Sequence, residues 1–320
     1  MRRWLLCLAL LSLLLHGVPA RAGDNWTQPT PEELKMTSDP AAPAAPAVYL
    51  FLEQTADDIK HERTYYARIK ILTDEGRQYA DVTMPYWAKE EWIRGVEGRT
   101  IHSDGTVIPF RGKTWQKEMV KASGVRIMEK GFSLPDVQVG SILEYRYTTA
   151  YSDWWPPRWY LQQPIFVHAA HYRYMPGEGG LVFASRFLPA NAQISEKKGW
   201  DLRVTNIPPQ VDEDDSPPMH SLGYHALFFY VDGTASTPDR YWANQGAYWS
   251  AAVDAYVAPD QLKSAVAQLV APGDSDEQKL RKIYAAVMKL DNTTFTQQDD
   301  ADQDDKAEKR KAATVADVWL

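Results

Sequence analysis

Cysteine is all but missing from this chain: Cys7 is the one cysteine among 320 residues. That excludes a disulfide framework and a Cys-ligated zinc, and it leaves thiol chemistry no position beyond Cys7. Surplus positive charge is missing too, with 35 Lys and Arg against 42 Asp and Glu and a formal net charge of −7. This balance opposes nucleic acid or an anionic membrane surface as the main partner. After residue 22 no apolar run is long enough to cross a bilayer. Nor is there a Gly-x-Ser-x-Gly elbow, a P-loop or a dinucleotide glycine pattern, so no cofactor is implied.

What remains is ordinary in bulk, with 44% hydrophobic and 24% charged residues, as in a folded soluble chain of one or two domains. The 12 Trp and 17 Tyr point to a β-rich protein with large buried rings. Residues 1–22 read as a signal peptide: Arg2 and Arg3, an apolar run over 4–15, then Ala20-Arg21-Ala22 for cleavage. The expectation is export, periplasmic or secreted, with no membrane span and no cysteine left after removal. Residues 23–47 are rich in Pro and Ala. Pro29, Pro31, Pro40, Pro43 and Pro46 suggest an extended tether without regular structure.

From 48 to 236 short runs of Val, Ile, Tyr, Phe, Trp and Thr alternate with turn residues such as Asp74-Glu75-Gly76 and Ser103-Asp104-Gly105. In residues 142–148, Ile142, Glu144, Arg146 and Thr148 alternate with Leu143, Tyr145 and Tyr147, which predicts one polar and one buried face. About a dozen strands without intervening helices imply an antiparallel β-sandwich. From 237 the period changes. Residues 238–258, 260–270 and 275–290 read as helices, the last with Leu280, Ile283, Tyr284 and Val287 on one stripe. An acidic loop follows at 299–305, then helical character to Leu320, where the chain stops in mid-element as a truncated one would.

Two segments carry a resemblance. Arg99-Thr-Ile-His-Ser-Asp-Gly-Thr-Val-Ile-Pro109 and Gly131-Phe-Ser-Leu-Pro-Asp-Val-Gln-Val-Gly-Ser-Ile-Leu-Glu-Tyr-Arg-Tyr147 resemble recurrent patterns of the DUF3857 family. In that family a β-sandwich precedes a transglutaminase-like domain in exported bacterial proteins. By themselves the two segments are hairpin architecture. The tail also resembles the opening of a transglutaminase-like α+β fold: residues 282–290 look like its first core helix, and 314–320 like the approach to its nucleophile. The resemblance implies a Cys–His–Asp set. No cysteine follows Cys7, so no catalytic residue carries over to this sequence.

Other constellations are weaker. His168 and His171 lie three apart in an expected strand, which sends them to opposite faces and makes a metal pair improbable. Asp300, Asp302 and Asp304 open like a calcium loop, but Asp305 and Lys311 stand where Gly and Glu are needed, so no metal site is expected. Trp154, Trp155, Trp159 and Tyr160, around Pro156-Pro157, are the candidate binding residues. Exposed, they would stack on a peptide, glycan or cell-envelope substrate, and buried, they would pack the sandwich. The expected function is an exported, non-catalytic, substrate-positioning module of a transglutaminase-like protein. The alternatives are the N-terminal portion of a transglutaminase-like cysteine peptidase or acyltransferase, and a free-standing carbohydrate-binding module.

Overall fold

The computed structural model describes residues 26–290 except positions 123–124, 154, 178–180, 211–213, 216, 218, 232–236 and 258. The signal-like segment, the acidic loop and the approach to the absent nucleophile lie outside the described residues.

The protein is mainly β. Numbered along the chain, its large sheet runs β12 (Gln193–Ser195), β13 (Trp200–Ile207), β10 (Val167–Met175), β1 (Ala47–Asp57), β2 (Glu62–Ile71), β8 (Ile142–Tyr151), β4 (Glu91–Ile101) and β5 (Val107–Pro109). It is open at both edges and forms no barrel. Two smaller sheets complete the β region. One is β11 (Leu181–Phe187), β14 (His225–Val231) and β9 (Arg158–Tyr160), and the other is β3 (Asp81–Trp87), β7 (Val125–Ser133) and β6 (Trp115–Ala122). One hydrophobic layer joins all three. Leu52, Ile69, Leu143, Tyr172 and Leu202 of the large sheet share it with Met84 and Phe132, and with Trp159, Ala226 and Phe228. The period-2 runs thus find their partners face to face.

The sheet pairs among the described residues are antiparallel, as expected, except one: β1 runs parallel to β10, Tyr49 opposite Val167 and Asp57 opposite Met175. A parallel neighbour needs a long crossover, and residues 58–166 supply it. The turn expected at Asp74-Glu75-Gly76 runs on as a 3-10 helix, Glu75–Ala80, before β3 begins at Asp81. Gly76 sits there so close to the leader that an added Cβ would meet the Pro46 carbonyl oxygen at 2.1 Å.

The Pro/Ala-rich leader also differs from an extended tether. Thr30, Pro31 and Glu33 build a capping box with proline at the first helical position, giving helix α1 (Pro31–Lys35). Proline is tolerated at that one position of a helix, so the composition misleads. The leader then lies on the large sheet. Glu33 and the Thr27 carbonyl accept from Arg68 at 3.1 and 2.5 Å, the Leu34 carbonyl accepts from Lys70 at 3.0 Å, and Asp39 meets His168 at 2.5 Å. Trp26 lies against the Arg146 guanidinium, 4.5 Å from its ring centroid. Alternation puts Glu144 on the polar face of its strand. With the leader above it, it is fully buried.

A short α2 (Met219–Leu222) precedes β14, and three longer helices follow it from 238, as expected: α3 (Pro238–Val257), α4 (Pro259–Leu269) and α5 (Asp276–Val287). Ser275 and Gln278 form the capping box of α5. Helix α3 meets the β region through Tyr241 and Trp242, whose rings approach Phe229 at 5.8 and 5.3 Å. On α5 the stripe residues Leu280, Tyr284 and Val287 are exposed.

Candidate binding site at the open end of the sandwich

The two family-like segments build one corner. Arg99 donates to Glu144 at 2.5 Å, Thr100 Oγ1 donates to the Pro135 carbonyl at 2.6 Å, and His102 Nε2 lies 2.9 Å from the Asp136 carbonyl. Gly105 and Gly140, at φ +87° and +88°, turn the chain where a side chain would be strained. Glu144 also accepts from Arg68 Nε at 2.8 Å and from Tyr66 at 2.6 Å. Burial, and then the Glu144 carboxylate, push the Tyr66 phenol up. A carboxylate filled by two guanidiniums and a phenol holds strands together and offers no lone pair to a substrate.

The opposite end of the strands is different. Asp58, in the turn after β1, is fully buried and accepts from three phenols: Tyr151 at 2.5 Å, Tyr174 at 2.9 Å and Tyr230 at 2.6 Å. These come from β8, β10 and β14, so one carboxylate clamps the large sheet to a small one. Burial pushes Tyr151 and Tyr174 up. Beside it, Arg63 reaches Glu91 at 3.4 Å, donates to the Trp155 carbonyl at 3.1 Å, and lies 4.7 Å over the Tyr151 ring. Its Nε is buried without a partner among the described residues.

The extended segment 155–159 crosses this end and sends neighbouring side chains to two hollows. Trp155, Pro156 and Arg158 line one of about 310 Å³ with Phe229, Tyr230 and Tyr241. Pro157 and Trp159 roof another of about 180 Å³, floored by Gln54, Arg63, Tyr65, Tyr147 and Thr149. Of the four candidate binding residues, Trp154 lies outside the described residues. Trp155 is 38% exposed, as is Trp87, and their rings are 6.2 Å apart. Trp159 is only 1% exposed and packs edge-on against Phe228 at 4.6 Å. Tyr160 is half-buried on β9, opposite His225. Arg63, Asp58 and Glu91 carry no signal in the sequence, because a lone charge near a turn is no motif.

His168 and His171 part as expected. The first meets Asp39, and the second sits between Glu53 at 3.1 Å and Asp201 at 2.9 Å. Among the described residues no group of three or more His, Cys, Asp and Glu could hold a metal ion.

Residues 57–210 match the family model described as "Domain of Unknown Function with solved-structure structure (DUF3857)". A DUF3857 domain therefore spans residues 57–210. The DUF3857 domain contains Asp58, Arg63, Glu91, Tyr151, Trp155 and Trp159, while β14 and most of β1, outside the match, pack into the same core. The fold is shared with a crystal structure of a "putative protease" from Parabacteroides distasonis ATCC 8503, at TM-score 0.60 and 14% identity. That likeness covers 85% of this chain, and the chain spans 57% of that protein. No curated protein matches the chain.

Proposed function

We propose that the DUF3857 domain is the non-catalytic, substrate-positioning part of an exported transglutaminase-like protein. The Cys–His–Asp set is then supplied by sequence outside these 320 residues. The observation that carries this reading is the single cysteine, Cys7, inside the signal-like apolar run. A cysteine nucleophile has no other position here. The shared fold with a longer protein described as a "putative protease", and the signal-like start, support it. The partner class is a peptide, glycan or other cell-envelope substrate, met at the end of the sandwich where Trp155 and Trp87 present their rings. Those two rings also favour the second reading, a free-standing carbohydrate-binding module.

The test is a comparison of the full reading frame with a version lacking the β region, on cell-wall peptide substrates. Positioning predicts a raised KM with kcat retained, because binding energy is lost away from the reacting atoms. An unchanged KM contradicts it.

A further inference from the structure

Most arginines of the β region answer a carboxylate. Arg63 faces Glu91, Arg68 and Arg99 share Glu144, and Arg146 holds Glu97. Arg158 differs. It is exposed on β9, opposite Leu227, and has no hydrogen bond or ion pair among the described residues. In a chain of net charge −7, a guanidinium left without a carboxylate stands apart. It lines the half-open hollow of about 310 Å³ that the small sheet shares with α3. The other walls of that hollow are apolar or already engaged. Leu227 and Phe229 come from β14, Tyr241 from α3, and Trp155 and Pro156 from the extended segment. The Tyr230 hydroxyl donates to Asp58 at 2.6 Å and accepts from the Gly177 amide at 2.8 Å, so it has nothing left for a guest. Beside Arg158, the Trp155 indole N–H has no hydrogen-bond partner among the described residues either. Guanidinium and indole are both donors only.

Charge and surface narrow the guest to an acceptor with one negative charge on an apolar body. A single guanidinium matches a single carboxylate through two parallel N–H···O bonds. A phosphate dianion would bring a second charge, and no other cation lines the hollow to meet it. Size limits the body. A cavity of about 150 Å³ holds one benzene, so this hollow takes an apolar side chain and its neighbour, and the open side lets a longer chain leave. The free carboxyl end of a peptide meets each condition. Its carboxylate faces Arg158, a main-chain carbonyl accepts from Trp155 Nε1, and the last side chain lies on Leu227, Phe229 and Tyr241.

We propose that this hollow captures the carboxyl end of a peptide whose last residue is apolar. The proposal rests on the substrate-positioning reading for its purpose, and it narrows the substrate of that reading to a peptide end. The test is calorimetry on the chain from residue 23 to 320 with three probes: acetyl-Ala-Leu as the free acid, the same dipeptide as its amide, and octanoate. The acid should bind, and the amide should bind at least tenfold more weakly. Octanoate keeps the carboxylate and the apolar tail but lacks the peptide carbonyl, so it should also bind more weakly than the acid. Arg158→Gln should erase the preference for acid over amide with Tm unchanged, because Arg158 has no partner to lose. The Trp155 indole N–H resonance, assigned by its loss in Trp155→Phe, should shift with the acid. If either variant fails to fold, the acid–amide difference in the unaltered chain decides. An acid that does not bind, an amide that binds as well, or a preference that survives Arg158→Gln overturns the proposal. Octanoate binding as tightly as the acid overturns the assignment to a peptide. Positioning is judged separately, by the KM comparison on the full reading frame.

Discussion

Arg99 and Glu144 join the two recurrent segments of the DUF3857 domain: the guanidinium of the first strand donates to the carboxylate of the second at 2.5 Å, both buried. The residues that make the family recognisable are thus spent on holding strands in register, and the candidate site lies at the other end. Removing one partner of a buried pair leaves an uncompensated charge, at a cost of about 3–5 kcal/mol. Glu144→Ala should lower the urea-unfolding free energy by that amount. A loss below about 1 kcal/mol would mean that the cluster is hydrated.

The leader makes a second prediction. Thr30→Ala removes the hydroxyl that caps α1, a change worth about 1 kcal/mol. Amide exchange at Glu33 and Leu34 should accelerate, and exchange in β2 beneath them should follow as the contacts to Arg68 and Lys70 loosen. Unchanged exchange at Glu33 would show that the sheet contacts alone hold the segment.

The pH dependence of stability should turn over. Burial pushes Lys70 down to about 8, from an ordinary 10.5. Between those values the unfolded chain binds a proton that the folded one has released, so stability rises with pH there. Tyr49, Tyr65 and Tyr145 act oppositely. Burial raises each above 10.0, so above that pH the unfolded chain loses protons the folded chain keeps, and stability falls. The urea midpoint should climb from pH 8 toward 10 and then drop. Lys70→Met should flatten the climb and leave the drop, while a midpoint that falls steadily from pH 8 contradicts the account of Lys70.

Two tryptophans four residues apart should behave unlike each other. Trp159, at 1% exposure, is a core ring, and Trp159→Ala should cost about 3–5 kcal/mol. Trp155, at 38%, should cost about 1 kcal/mol or less when truncated. Equal losses would show that both rings serve packing.

Much of this was legible in the sequence. Helices α3 to α5 stand where the change of period after residue 237 puts them, although the apolar stripe of α5 is exposed. Strand β6 is not legible in the sequence: Gln116, Lys117, Glu118 and Lys121 give it a polar pattern, as suits an edge strand. The prolines of the leader suggest an extended chain, although Thr30 and Glu33 carry the capping signature. Arg63, Asp58 and Glu91 could not be found, since 28 residues separate Arg63 from Glu91 and only strand pairing brings them together.

The central claim is that these residues position substrate without transforming it. The direct measurement is turnover of cell-wall peptide by the purified chain from residue 23 to 320, set against the product of the full reading frame. The account predicts no hydrolysis or acyl transfer above the buffer rate for the former and thiol-blockable activity for the latter. Turnover by residues 23–320 that survives purification to homogeneity would contradict it.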